Sequence, residues 1–370
     1  MKKVLYIGGF EMPDKNAAAQ RVMANAKLLR EMGFDVTFIG PTKDRQNAIS
    51  EFDGFNFEYV DYPNSMLSWF NYITTFVNTD IILKYNPDYV VLYNFPSAAS
   101  LKILSVCHKH KIKVIHDITE WEFTKGWSIR SIVQRGDIAL RMHYCMKKMD
   151  GVIAISRYLY DFYKSYTNTI LVPPTVDLRN PKFCRDRVLS ASDCITKLVY
   201  AGSVGKFAAK DRLDIIIGSV NKIPNIQLDI VGMTEEQYRG IFADNRIIND
   251  NIRFHGRVSH EEAIKFVCDA DFQMLIRENT LKNKAGFPTK FVESFSCCTP
   301  LIATKTSNIC EYLQDGVNGW LVTEEQSLEI VLNKVASMST SMKIKMKESC
   351  RSFNGFDYKN YAEEFSKIFR

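Results

Sequence analysis

The sequence predicts an α/β protein of two Rossmann-like domains, and three observations lead there. Short apolar runs alternate with segments of helical periodicity, as in parallel βαβ units. That series runs twice, on either side of a Pro-containing passage, "NTILVPPTVDLRNP". At 370 residues the chain also exceeds the roughly 250 to 300 residues over which one hydrophobic core usually grows.

Taken in order, the first series comprises "VLYIGGF", the helical "AAAQRVMANAKLLREMG", "DVTFIG", the run around "DYVVLYNF", the helical "SLKILSVCHKHK", "KVIHDI" and "DGVIAIS". It predicts an N-terminal domain over residues 1–180. The second series opens with "KLVYAGSVG" and continues through "IQLDIVGM", "IRFHGRVS", "DFQMLI", "PLIAT" and "GWLV", with helical segments between most of them. It predicts a C-terminal domain over 181–350. In "FDYKNYAEEFSKIFR" the apolar residues at 356, 358, 361, 362, 365, 368 and 369 follow helical spacing. A C-terminal helix within 351–370, packed back towards the first domain, is expected. Two such domains are expected to face each other across a cleft.

Composition narrows the function classes. The chain is 46% hydrophobic and 24% charged, with no repeat or low-complexity segment, which fits an ordinary folded protein. Its nine cysteines show no C-x-x-C and no histidine partners at metal spacing, so they read as buried small hydrophobes in a reducing compartment. No uncharged apolar stretch reaches the ~18 residues needed to span a bilayer. "MKKVLYIGGF" suits a first strand better than a signal peptide. A cytoplasmic protein is expected, free or at the inner face of the cytoplasmic membrane.

Charge is unevenly spread. Between Lys102 and Lys148 ten Lys/Arg stand against four acids, an excess equal to the +6 of the whole chain. There Trp121, Phe123, Trp127, Ile129, Ile132 and Val133 interleave with Arg130, Arg135, Lys147 and Lys148. Residues 121–148 therefore suit peripheral contact with an anionic lipid surface, and core packing of the apolar members is the alternative. Nucleic acid is not an expected partner, given a pI near 8.7 and no recognisable binding module.

Ligand sites in open α/β sheets lie at the carboxyl ends of strands, where loops meet helix N-termini. In "AGSVGKFAAKDR" Gly202 and Gly205 allow close backbone approach, and Lys206, Lys210 and Arg212 supply charge. The loop lacks the G-K-[ST] ending of a Walker A motif, and an exposed basic loop is its plain alternative. In "KAGFPTKFVESFSCCTPLIAT" Gly286, Phe287 and Pro288 bring a helix N-terminus to a strand end, ringed by Arg277, Lys282, Lys284 and Lys290. That suits a phosphate. Glu293, deeper in the helix, is placed to accept from the two hydroxyls of a ribose; a solvent-facing glutamate is the alternative.

The order "AGSVGK…DIVGM…IRFHGRVSHEEAIKFVCDADFQMLIR…GFPTKFVESFSCCTPLIAT…GVNGWLV" resembles the nucleotide-binding half of family 4 glycosyltransferases, retaining enzymes of GT-B fold. The resemblance covers about 197–325 and continues through "AAAQRVMANAKLLREMGFDVTFIG" and "DGVIAISRYL". It implies that Glu293 is the ribose-binding second glutamate of the family's E-x7-E motif. The first glutamate falls at Ala285, and Ser203 stands where the family's diphosphate-clamping arginine usually is, leaving Lys206 or Lys210 to supply charge.

Further assignments follow from the same resemblance. Gly286, Phe287, Thr289 and Lys290 would cradle the donor sugar and phosphates, while Gly232, Arg257 and Val258 would meet the base and diphosphate. His116, in "KVIHDITEW", would touch the donor sugar near the reaction centre, with Asp117 beside it either catalytic or a helix cap. Ala18, Ala19 and Arg21 would form the acceptor-side loop. The implied reaction is retaining transfer from a nucleoside-diphosphate sugar to a hydroxyl of a surface glycan or lipid-linked acceptor, without cofactor or metal. Lys206, Lys210, Arg277 and a helix dipole would stabilise the leaving diphosphate. A sugar-nucleotide 2-epimerase and a catalytically idle glycan-binding or scaffold protein are the competing readings.

Overall fold

The computed structural model describes residues 1–12, 16–43, 48–121, 124, 126–202, 210–323 and 327–370. The chain divides into two compact units. One comprises Met1–Val176, Ala285–Phe287 and Asp357–Arg370; the other comprises Asp177–Lys284 and Pro288–Phe356.

The first unit is built from β1 (Lys2–Gly8), α1 (Ala17–Glu31), β2 (Phe34–Thr42), β3 (Glu51–Phe52), β4 (Phe55–Asp61), α2 (Met66–Thr74), α3 (Thr79–Tyr85) and β5 (Tyr89–Tyr93). It continues with α4 (Ser97–Lys109), β6 (Lys113–Ile118), α5 (Ile129–Leu140), β7 (Gly151–Ala154), α6 (Arg157–Tyr163) and β8 (Thr169–Leu171). The sheet runs β3-β4-β2-β1-β5-β6-β7-β8. All pairings are parallel except the short β3–β4 hairpin.

Central strands of such a sheet are covered on both faces, so they read as continuous apolar runs rather than alternating ones. All five residues of β5, "YVVLY", are buried. Alternate residues of β1 feed two cores: Val4 and Tyr6 pack with the face covered by α1, while Leu5 and Ile7 pack with the face covered by α3 and α4. The strand order reverses between β1 and β5, whose carboxyl ends meet where Gly8 pairs with Tyr93. A Cβ on Gly8 would lie 2.6 Å from the Tyr93 Cβ, so only glycine fits that crossing.

The second unit contains β9 (Thr196–Ala201), α7 (Leu213–Val220), β10 (Ile226–Val231), α8 (Glu235–Phe242), β11 (Ile252–Phe254), α9 (His260–Asp269) and β12 (Phe272–Leu275). Then follow α10 (Leu281–Ala285), α11 (Thr289–Ser296), β13 (Leu301–Thr304), β14 (Gly319–Val322), α12 (Leu328–Ala336) and α13 (Thr340–Ser352). Its sheet is parallel throughout, in the order β11-β10-β9-β12-β13-β14. Here the order reverses between β9 and β12, which places the residues after Ala201 and Leu275 at the switch point.

The chain ends in the first unit as α14 (Ala362–Ser366). The single helix expected near the terminus is divided: α13 stops at Ser352, and a 3-10 turn over Tyr358–Tyr361, capped by the Asp357 side chain, precedes α14. Phe365, Ile368 and Phe369 bury themselves in the core beneath α1. Among the described residues no helix is long and apolar enough to cross a membrane.

Candidate active site

At the switch point of the second unit three charged side chains converge. Asp211 lies between β9 and α7, Arg277 follows β12, and Lys290 lies in the first turn of α11. The Arg277 Nε donates to Asp211 Oδ1 at 2.5 Å, Lys290 Nζ pairs with Oδ2, and the Tyr200 hydroxyl donates to Oδ2 at 3.0 Å. Burial by itself would raise the Asp211 carboxyl, but Lys290 and then Arg277 overcome it and hold the group well below the ordinary carboxylate range. Asp211 is therefore an anion at neutral pH. Sequence reasoning passed over it because its partners lie 66 and 79 residues away.

Gly202 has a different use from the one its position suggests. A Cβ there would lie 2.3 Å from Lys290 Nζ, so the missing side chain makes room for the lysine. The ammonium also rests 4.1 Å from the centre of the Tyr200 ring. Lys210 is half-buried, and Ser203, Gly205 and Lys206 lie outside the described residues.

Helix α11 starts at Thr289 after Pro288, which offers no side-chain cap; the Phe291 N–H donates to the Pro288 carbonyl at 3.0 Å, and the N–H groups of Thr289 and Lys290 keep their capacity for an anion. Just over one turn on, Glu293 Oε1 meets His260 Nε2 at 3.0 Å. His260 opens α9 and was not singled out from the sequence. The second carboxylate oxygen of Glu293 has no partner among the described residues. Gly232 takes φ +108°, a left-handed conformation suited to glycine, and donates its N–H to the Gly256 carbonyl at 2.8 Å. Arg257 is exposed and Val258 half-buried. Gly286 and Phe287, by contrast, are buried; the segment Ala285–Phe287 groups with the first unit, where Ser156 Oγ donates to the Ala285 carbonyl at 2.6 Å.

In the first unit three expectations need correction. His116 is fully buried in β6 and accepts the Phe95 N–H on Nε2 at 3.2 Å, so it presents no edge to a sugar. Burial first, and the Arg141 charge second, push its pKa down to about 3, which keeps the ring neutral. Asp117 neither caps a helix nor reaches solvent: it is locked in a buried ion pair with Arg21. Arg21 is thereby removed from the acceptor-side loop as well. Ala18 is half-buried, and the Ala19 N–H is already taken by the Asn16 side chain, which caps α1.

Ala18 and Gly9 do border a cavity of about 390 Å³ at the β1–β5 switch point. Its lining includes the aromatic Trp69, Tyr72 and Phe76, the aliphatic Ile73, and the polar Asn94, Glu120, Gln134 and Asp137. Pro96 gives α4 no cap, and Asp137 of α5 fills that role by accepting from the Ser97 N–H and Oγ at 2.7 and 2.6 Å.

Beside the cavity, the apolar and basic residues of 121–148 separate into two groups. Trp121 packs edge-on against His143, Tyr158 and Phe162, and Arg141 is buried on the Asn94 carbonyl. Trp127 and Ile129 are 89% and 80% exposed, with Ile132 and Val133 also in solvent. Phe123 lies outside the described residues. Helix α2, not foreseen from the sequence, adds Met66, Leu67 and Phe70 to the exposed set, and its Trp69 is stacked by Arg130 of α5 at 5.3 Å.

Two family models place the chain among the glycosyltransferases. The model of "Glycosyltransferase Family 4" matches residues 18–180, and that of "Glycosyl transferases group 1" matches residues 193–352. Together they span most of the chain, which belongs to the family 4 glycosyltransferases of GT-B fold.

Among solved structures, sucrose-phosphate synthase from Thermosynechococcus elongatus superposes with a TM-score of 0.73 at 15% identity, over 100% of this chain and 98% of that one. Anabaena HepE in complex with UDP and glucose gives 0.68 at 14%, over 100% and 99%. WaaG, a glycosyltransferase involved in lipopolysaccharide biosynthesis, gives 0.67 at 12%, over 99% of both. At such identities the likeness is one of fold.

A 41.2 kDa protein in the cps region of Klebsiella pneumoniae is 24% identical over 306 residues, 78% of this chain and 80% of that protein. A glycosyltransferase of Methanocaldococcus jannaschii is 25% identical over 166 residues, 44% of this chain. That match spans 43% of the archaeal relative's own length.

Proposed function

We propose that the chain transfers a sugar, with retention of configuration, from a nucleoside-diphosphate sugar to a hydroxyl of a surface polysaccharide or lipid-linked glycan. The observation that carries this reading is the set of groups at the second unit's switch point: the Arg277 guanidinium, the start of α11 without a side-chain cap, and Glu293 just over one turn further on. The cation and the helix N-terminus suit a diphosphate, and the carboxylate suits the ribose beyond it. Developing negative charge on the leaving diphosphate is met by fixed protein charge, so no divalent ion is needed. Supporting this choice of donor, Anabaena HepE has the same fold and was solved with UDP and with UDP-glucose.

The acceptor binds in the cavity lined by Trp69 and Tyr72, in our reading, and the protein works at an anionic membrane surface through the α2 and α5 ridge beside it. Exposed Trp127, Ile129, Met66 and Leu67 would enter the headgroup region, and Arg130 and Arg135 would meet lipid phosphates. The test is calorimetric titration of UDP, GDP, ADP and dTDP with and without EDTA. It is followed by product analysis with the matching sugar nucleotide. Saturable, chelator-insensitive binding lost in Glu293→Ala supports the reading. Binding of none, an inverted product, or epimerised donor formed without acceptor overturns it.

A further inference from the structure

Resting on that donor site, we propose that Asp211 is a positioning residue that aims the two terminal nitrogens of Arg277 at the donor's diphosphate. The guanidinium is 9% exposed, yet only its Nε is used internally, on Asp211. Nη1 and Nη2 have no partner among the described residues. Neither terminal nitrogen is sealed from solvent, so the fork's outer edge is open to a ligand, and a pair of phosphate oxygens would meet it bidentately.

Everything behind the fork is fixed. The Arg277 N–H donates to Thr304 Oγ1 and its carbonyl accepts from the same hydroxyl, both at 2.8 Å. Asp211 and Arg277 also form a backbone bridge, and the adjacent Arg212 N–H donates to the Ile276 carbonyl at 2.8 Å.

Asp211 in turn is held by Lys290 and Tyr200. Lys290 sits in a closed place, between the Tyr200 ring, the Asp211 carboxylate and the space left by Gly202. The division of labour is therefore specific. Lys290 serves as a structural counter-ion, Asp211 as the pivot, and Arg277 as the group that touches ligand. A lysine at position 277 would keep the charge and lose the fork.

The experiment measures affinity for UDP and UMP, or the corresponding pair of the base that the parent prefers, in the parent and in Asp211→Asn, Arg277→Gln, the double variant and Arg277→Lys. The readout is the diphosphate-to-monophosphate affinity ratio, which a purely structural loss does not move. Arg277→Gln should lower that ratio by about tenfold or more, the value of a charge-assisted bond. Asp211→Asn should lower it nearly as far, and the double variant no further than Arg277→Gln alone, because one group acts through the other.

A lower melting temperature in Asp211→Asn with an unchanged ratio overturns the proposal, as do additive losses. If Asp211→Asn does not fold, Arg277→Lys decides: a parent-like ratio overturns the proposal, and a ratio as low as that of Arg277→Gln supports it. A parent that binds no nucleoside diphosphate removes the donor-site reading itself. A parent that binds UDP with an unmoved ratio in the variants removes only the role of Asp211.

Discussion

The Arg21 guanidinium and the Asp117 carboxylate pair at 2.8 Å inside the first unit, with side chains 2% and 0% exposed. The pair is fully enclosed by partners. Tyr6 and Asn25 donate to Asp117 Oδ2 at 2.5 and 3.2 Å, and Arg21 Nη1 donates to the Val172 and Pro173 carbonyls at 2.9 and 3.1 Å. One interaction thus ties α1 to β6 and to the segment leaving β8. Removing one member of such a pair leaves a buried charge uncompensated, which costs about 3–5 kcal/mol. Arg21→Met should therefore lose about that much in urea unfolding while nucleotide affinity in the folded protein stays at the parent value. A loss of affinity without a loss of stability would return Arg21 to the ligand site.

How far the sequence reaches can be judged from particular elements. The central strands were legible because parallel strands buried on two faces are uninterrupted apolar runs, as in β5 and β7. Helix α2, "MLSWFNYIT", was not, since a short helix with apolar residues on most sides carries no readable period. Arg277, Lys290 and Glu293 could be singled out because they lie in one stretch of sequence after a strand end. Asp211 and His260 were not, because an ion pair between residues 66 apart, or a hydrogen bond across 33, leaves no trace in local spacing. His116 was misjudged for a related reason. A strand reading locates the carboxyl end but not whether a given ring points outwards or into the packed layer.

His116 gives a pH dependence with a definite sign. Its folded-state pKa, about 3, lies below the ordinary value, so the fold favours the neutral ring. The contribution is complete above about pH 6.5, the ordinary pKa, and is lost as pH falls towards the folded value. Stability should fall by about 1.4 kcal/mol per pH unit from this one proton across that window. In His116→Gln, whose amide oxygen can still accept the Phe95 N–H, the slope of unfolding free energy against pH should be shallower by one proton. An unchanged slope would place the acid sensitivity elsewhere.

The His260–Glu293 contact predicts a graded effect on nucleotide binding. Glu293→Ala removes the carboxylate itself and should abolish measurable binding. His260→Ala keeps the carboxylate but frees its rotamer, and a hydrogen bond to a charged group is worth about 1.5–3 kcal/mol. Calorimetry should accordingly find UDP affinity in His260→Ala reduced but present. Parent-like affinity would mean that His260 does not set the position of Glu293.

Gly202→Ala tests the packing of Lys290 directly. The new methyl would lie 2.3 Å from Nζ and 2.9 Å from Cε, so the lysine must leave its place beside Asp211 and Tyr200. Thermal unfolding should report a loss of about 1–3 kcal/mol, the penalty of breaking a buried charged contact. Adding Lys290→Met alters what the methyl meets, so the double variant should lose less than the sum of the two single changes. Strict additivity would separate Gly202 from Lys290.

The exposed ridge of α2 and α5 is the last element with a measurable consequence. Trp127, at 89% exposure, is accompanied by the Arg135 guanidinium 5.3 Å from its ring, and Arg130 stands over Trp69 at the same distance. Apolar tips flanked by cations suit a surface that is apolar below and anionic above. Binding should therefore depend on both lipid charge and salt, since exposed charge pairs are screened within about 8 Å at physiological ionic strength. In co-sedimentation, vesicles of phosphatidylcholine with phosphatidylglycerol should retain the protein and vesicles of phosphatidylcholine alone should retain far less. Burying a large apolar side chain contributes about 1.5–3 kcal/mol, so Trp127→Ser with Ile129→Ser should weaken partitioning by at least about tenfold. Met66→Ser with Leu67→Ser should do the same if α2 and α5 enter the surface together. Equal binding to charged and uncharged vesicles, or indifference to both pairs of substitutions, would remove the membrane from the account and leave the ridge as plain solvent-exposed surface.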